Sequence, residues 1–259
     1  MIQKKTAEKD KKKTGKGGKG GDALDNSIGV AIEGFKTINI TIPIRSISGL
    51  YMHKFSQKAK RDILAKHMKL ATATKAREAK DPILDFLGSI YFVDPADRKK
   101  VYKKIMSSPW WTKTLKALNK GEDWEDADLT SFFKGTAIGF PAMGFKLSVV
   151  NTGRNTGAEM TKLKQMIFVE PDVDDLVLIT PKKIICKNDY VKLQKKTSDI
   201  RFRAFIPEWT ANIHVSFSVS NMSMDQVVSV FEIAGSCVGI GDWRPERSGI
   251  FGKYQVVKK

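Results

Sequence analysis

Three histidines are the first residues in this chain that could do acid–base or metal chemistry, and their spacing argues against both. His53, His67 and His214 are scattered, and none has a second ligand at metal-binding distance in sequence. His53 stands beside Lys54 and could act as a base, but a lone histidine in that setting reads first as a phosphate or hydrogen-bond partner. There is no Gly-x-Ser-x-Gly elbow and no His-Glu-x-x-His pair. The glycine-rich run from Gly135 to Lys146 lacks the Gly-Lys-Ser/Thr of a phosphate-binding loop. Glu122, Asp123, Glu125, Asp126 and Asp128 could converge on two metals in a nuclease, yet crowded into one loop they read first as a solvated, helix-capping patch. The sequence therefore assigns no catalytic residue, no metal ligand and no cofactor.

Its cations are the stronger signal. The formal net charge is +17, so the expected partners are polyanions, nucleic acid first and an acidic membrane surface second. Basic residues recur beside aromatic ones. His53, Lys54 and Phe55 lead into Lys58, Lys60 and Arg61, and Arg154 sits between glycines. Arg201 and Arg203 alternate with Phe202, and Trp243, Arg244, Arg247 and Lys253 mark a late loop. Cations that meet phosphates, with exposed rings on which bases stack, are what a single-strand-binding surface needs. Trp243, between Asp242 and Arg244, is the preferred stacking platform, whereas Phe251 reads as core filler.

Elements must position these residues, and the clearest lie at the end of the chain. Ile213, Val215, Phe217 and Val219 alternate with polar residues, which predicts a half-buried strand. Ser223-Met224-Asp225-Gln226 has the form of a capping box opening a helix. Val227, Val230, Phe231 and Ala234 share its apolar face, and Gly235 is expected to stop it. After the glycine-punctuated loop from Gly239 to Gly249, Phe251, Tyr254 and Val256 predict a last strand. Strand, helix, loop and strand make half of a ferredoxin-like or RRM-type unit.

Near the start, Ile38, Ile40, Ile42 and Ile44 predict another strand. The helix that follows, with Ser56 as N-cap, should bury Ile63, Leu64 and Met68 and expose its lysines. The stretch from about 75 to 130, with helix starts at Pro82, Pro95 and Pro109, reads as a helical insertion between strands. Ala142 to Val150 predicts a helix, Met160 to Phe168 a helix-to-strand passage, and Leu176 to Ile179 a buried strand. Lys182 to Arg203 reads as a hairpin with a charged tip; Arg201 and Arg203 should share one face of it, with the phenylalanines on the other. Either a charge-protected edge or a cationic groove lining would use that pattern.

The expected class is thus α+β: a ferredoxin-like/RRM-type antiparallel sheet with a helical insertion, forming one domain over 27–259. Before it, residues 1–26 are Lys/Gly-rich with almost nothing apolar, and predict a disordered basic arm. That arm serves either as a solubilising tail or as a non-specific phosphate contact. No window is apolar enough to cross a bilayer, and the lysine-rich N-terminus lacks a signal core, so no membrane partner and no secretion are expected. Cys186 and Cys237 lie in apolar contexts and predict free, buried thiols.

Several stretches together resemble a group of conserved tailed-phage proteins of unassigned role. They are Ile42-Pro43-Ile44, the run from Leu50 to Lys60, the run from Ala76 to Pro82, Gly139-Phe140-Pro141-Ala142, and Gly239-Ile240-Gly241-Asp242-Trp243-Arg244-Pro245. At the level of architecture alone, the plan is also similar to the RAMP superfamily, which includes backbone subunits of CRISPR effector complexes. The late loop lacks the dense glycine run of those proteins, and no catalytic aspartate can be placed. The resemblance implies a phage-encoded single-stranded nucleic-acid-binding protein, for RNA or single-stranded DNA, acting in the host cytoplasm as a homo-oligomer or filament along the strand. The alternatives are a virion structural or assembly protein and, behind it, a nuclease.

Overall fold

The alternating isoleucines near the start form a strand, β1 (Thr37–Ser46), whose inward half buries Ile42 and Ile44. The computed structural model describes residues 36–55, 57–69, 80–192 and 198–258, without the side chains of residues 57–59, 62, 192 and 198. The expected basic arm, the Ser56 cap, the Lys58 side chain and the tip of the late hairpin lie outside the described residues.

In chain order, β1 is followed by β2 (Leu50–Tyr51), α1 (Gln57–His67), α2 (Pro82–Ser89), β3 (Tyr91–Phe92), α3 (Pro95–Met106) and α4 (Pro109–Asn119). Next come β4 (Ala127–Asp128), β5 (Ile138–Pro141), α5 (Ala142–Asn151), α6 (Gly153–Thr156), α7 (Met160–Met166), β6 (Ile167–Glu170) and β7 (Leu176–Pro181). The chain closes with β8 (Ile185–Lys192), β9 (Ser198–Ile206), β10 (Trp209–Ser218), α8 (Met224–Ile233) and β11 (Tyr254–Val256). The protein is α+β, with a large antiparallel sheet and helices.

That sheet runs β11-β1-β10-β7-β5-β3, and β6 also pairs with β10. β1 is antiparallel to both β10 and β11, with Ile42 opposite Ile213 and Ile44 opposite Val256. β10 and β11 therefore flank β1, with α8 between them in the chain. Ile213, Val215 and Phe217 are wholly buried, each contributing about 1.5–3 kcal/mol by its removal from water. Ser223 caps α8 through the reciprocal box with Gln226. Proline-started helices behave as their sequences predict: Asp81, Asp94 and Ser108 accept backbone N–H bonds at the starts of α2, α3 and α4. Phe86, Leu87, Val101 and Ile105 from the expected insertion join the common core, and β3 joins the large sheet beside β5.

The structure departs from the sequence reading at several points. β5 was hidden in the glycine-rich run before α5, because Gly139 offers no side chain to the strand pattern. Gly235 does not end α8; the helix continues through a π turn, Ala234–Val238. A Cβ at Gly235 would lie 2.1 Å from the Tyr254 carbonyl oxygen, so this glycine permits close packing, and Gly239, at φ 71°, makes the stop. On β9, Phe205 has the same parity as Arg201 and Arg203, so only Phe202 lies opposite them, against Trp124. Cys186 is buried as expected, but Cys237 is exposed because it lies on the open side of the π turn. Ile63, Leu64 and Met68 are exposed at 46, 57 and 59%, so this face of α1 is not a core face.

A second, four-stranded sheet, β2-β9-β8-β4, was legible only in its β8–β9 hairpin. Strands β2 and β4 have two residues each, too few to show a period. This small sheet positions the candidate site, because β2 pairs Tyr51 with Phe205. Ser89 at the end of α2 reinforces the junction: its hydroxyl accepts from Ala204 N–H, and its carbonyl accepts from Lys54 N–H. Among the described residues, no helix is long and apolar enough to cross a membrane.

Candidate functional site

The late glycine loop crosses β2, and its sequence explains how. Gly241 has φ 77°, and a Cβ there would come 2.5 Å from Leu50 Cδ1 and 2.6 Å from the Tyr51 carbonyl oxygen. Only glycine lets the loop lie this close. Asp242 N–H then donates to the Tyr51 carbonyl, and Phe251 N–H donates to the Trp243 carbonyl. Trp243 itself adopts φ 54°, an uncommon conformation for a bulky residue, and remains 38% exposed. Tyr51 and Phe251 flank its ring at 4.8 and 6.3 Å.

Beneath the loop lies Arg203, 2% exposed. Its Nη1 donates to Asp242 Oδ2 at 2.7 Å, while Nε and Nη2 donate to Asp189 Oδ2 at 3.2 and 3.0 Å. The guanidinium also lies 4.2 Å from the Trp243 ring centroid and 5.2 Å from that of Tyr51. Burial, with the negative charge of Asp189, pushes the Tyr51 hydroxyl well above its ordinary pKa and keeps it protonated. Arg203 thus fastens β8, β9 and the loop together and does not line an open cationic groove. A buried arginine meets two carboxylates, so the fastener carries net negative charge.

Beside it opens a cleft of about 230 Å³ between the Gly239–Asp242 turn and α5. His53 Nδ1 is 4.0 Å from Asp242 Oδ2. Burial lowers the pKa of His53, aided by Arg201 and Arg203 and opposed by Asp242. Lys54 Nζ lies 5.3 Å from the Tyr91 ring centroid, and burial followed by repulsion from Lys60 lowers its pKa. At the other end, Glu246 collects donors: Arg244 through Nε at 2.9 Å, the neutral Asn151 amide at 2.8 Å, and Arg154, which approaches to 3.5 Å. Arg244 Nη1 also bonds the Gly241 carbonyl at 3.0 Å.

The expected site residues fall into distinct groups. His53, Lys54, Arg203, Trp243 and Arg244 gather around the loop, and Arg154 reaches it through Glu246. Arg203, Arg244 and Arg154 are each engaged by carboxylates, and Arg201 lies 3.8 Å from Asp199. Lys60 and Arg61 on α1 are exposed, as are Lys66, Lys69 and Arg247, and none of these forms an ion pair among the described residues. Phe55 is 50% exposed, and Lys253 is half-buried with its backbone bonded to the 46–48 turn.

Sequence reasoning missed Tyr51, Tyr91, Asp189, Asp242 and Glu246. The available signal was the isolated acid in a basic stretch: Asp189 within the lysine-rich hairpin, and Asp242 and Glu246 interleaved with arginines. A second groove, about 470 Å³, lies on the large sheet, where His214 bridges Thr41 Oγ1 at 3.0 Å and Asp172 Oδ1 at 3.2 Å. Glu170 and Asp172 line it without a lysine or arginine, which disfavours a polyanion there. Among the described residues, no cluster of three or more His, Cys, Asp or Glu could hold a metal ion.

No protein-family model matches the chain, and a comparison with curated proteins finds no match.

Proposed function

We propose that the chain binds single-stranded nucleic acid, RNA or DNA, across the surface that runs from Trp243 past Lys54 to α1. The observation that carries this reading is Trp243, a large ring held half-exposed by Arg203, Tyr51 and Phe251. A rigid exposed ring offers a base a stacking surface whatever its sequence. Lys54, Lys60 and Arg61 form no ion pair among the described residues and supply positive charge, and the net charge of +17 favours a polyanion throughout. The tailed-phage resemblance supplies the biological setting of this proposal, a phage-encoded protein working in the host cytoplasm, as a homo-oligomer along the strand.

A second reading, a virion structural or assembly protein, is favoured by the exposed Ile63 and Leu64 on α1 and Met68 just after it. Both are tested by salt titration of binding to labelled single- and double-stranded DNA and RNA, after co-purifying nucleic acid is stripped. The first expects single strands to win and binding to persist at moderate salt. Equal binding to all four, vanishing steeply with salt, would overturn it, and self-association without nucleic acid would then favour assembly.

A further inference from the structure

We propose that the cleft between the Gly239–Asp242 turn and α5 is a nucleobase pocket, which takes one unstacked base bearing an exocyclic amino group. This rests on the single-strand-binding reading and deepens it, by adding selection among bases to sequence-tolerant stacking on Trp243.

Size is the first support. At about 230 Å³ the cleft is smaller than the roughly 300–1,000 Å³ of sites for drug-sized ligands, and suits a single ring system. Its walls are apolar and aromatic: Tyr91 and Phe140, whose rings meet edge to face at 5.8 Å, and Leu147 at the rim. Planar heteroaromatic rings are held by such walls and read along their edges by a few polar groups.

Arg244 and Ser148 line the cleft too, but Arg244 spends Nε and Nη1 on Glu246 and the Gly241 carbonyl, and Ser148 bonds Phe145 and Tyr254. That leaves Asp242 and Asn151 beside His53 to read a ligand edge. Asp242 Oδ2 is occupied by Arg203, whereas Oδ1 makes no hydrogen bond among the described residues. Asn151 spends its amide nitrogen on Glu246, and its side-chain oxygen likewise has no partner there. Both open atoms are acceptors, so the ligand edge must present N–H donors. Adenine, cytosine and guanine carry an amino group that fits. Uracil and thymine flank their one edge N–H with two carbonyls, which would set oxygen against the carboxylate. The Asp242 carboxylate disfavours a phosphate inside the cleft, where the Arg244 guanidinium is already engaged by Glu246, while Lys54 beside Tyr91 can meet one outside.

Free nucleosides test this directly, because they carry a base without a phosphate for the lysines to attract. The full chain, stripped of nucleic acid, is titrated with adenosine, cytidine, guanosine, uridine and ribose while the ring resonances of His53 are followed by NMR. The amino-bearing nucleosides should shift His53 and bind about tenfold or more tighter than uridine, the factor expected for a hydrogen bond to a charged group. Ribose should do nothing. Leu147 is 51% exposed, so Leu147→Trp can fill the mouth without disturbing the core. It should abolish the nucleoside shifts and the preference among homopolymer strands, yet leave binding to an abasic strand unchanged. If strands bind but no nucleoside shifts His53, if uridine binds as well as cytidine, or if Leu147→Trp keeps the base preference, the pocket is wrong while the single-strand reading stands. If no strand binds at all, both fall.

Discussion

The arginines around the late loop and the lysines of α1 look alike in sequence but differ in what surrounds them. Arg203, Arg244 and Arg154 each meet a carboxylate, and Arg203 meets two while almost wholly buried. Lys60, Arg61, Lys66 and Lys69 stand in water without an ion pair among the described residues. Guanidinium groups, planar and weakly hydrated, can be buried between carboxylates and rings at a cost that fixed geometry offsets. Ammonium groups on flexible stems, and with them the exposed Arg61, stay hydrated and act over distance. Positive charge therefore has two jobs here: at the loop it builds the site, and on α1 it supplies field.

Substitution at Arg203 should separate these jobs most sharply. Arg203→Ala leaves Asp189 and Asp242 facing each other without their shared cation, and should cost about 3–5 kcal/mol of stability. Urea denaturation would measure it, and a loss within the range of a surface change would mean the fastener is not structural. Trp243→Ala comes next in size. It should remove about 1–3 kcal/mol of single-strand affinity, most visibly at high salt where charge is screened, while the chain still unfolds cooperatively, with a modestly lower urea midpoint for the lost ring contacts. Loss confined to low salt would move Trp243 from the stacking class to the electrostatic one.

Replacing Lys60, Arg61, Lys66 and Lys69 together by glutamine should give the opposite profile. Stability should stay within about 0.5 kcal/mol, because exposed unpaired groups contribute little. The slope of log affinity against log salt should flatten by about 0.7 for each phosphate of a single strand that is no longer neutralised. An unchanged slope would take α1 out of the interface.

The two regions also differ in how far the sequence exposed them. Strand and helix periods placed β1, β10, α8 and the proline-started helices, because Ile42, Phe217 and Phe231 each repeat on a face that the core selects. The cationic character of α1 was equally visible, since exposed lysines need no partner to be recognised. Arg203 was seen as a cation on a strand, but its burial was not, because that depends on Asp189 fourteen residues earlier and Asp242 thirty-nine residues later. Tyr51 entered the site through a two-residue strand that carries no period. Local pattern reveals what a residue does within its own element; contacts across β2, β9 and the loop remain hidden until the chain closes.

The smallest effect tests whether His53 belongs with the buried groups or with the solvated ones. Burial depresses its pKa below the ordinary value of 6.5, despite the nearby Asp242 carboxylate. Above pH of about 6.5, His53 is neutral in both folded and unfolded chains, and its contribution is fully present. As pH falls below that, the unfolded chain takes up the proton first, so stability declines until the folded pKa is passed. The side chain is 41% exposed, so solvent screens the effect and the decline should be shallow. Asp128 and Asp199, held below the usual carboxylate value by Thr130 and Lys80, weaken the fold only in more acidic solution and do not overlap that window. His53→Gln should therefore flatten the urea midpoint between about pH 7 and 5 without changing its course below. Parallel profiles for the two proteins would place His53 with the solvated cations, and leave Arg203 with its carboxylates as the buried charge that shapes the loop.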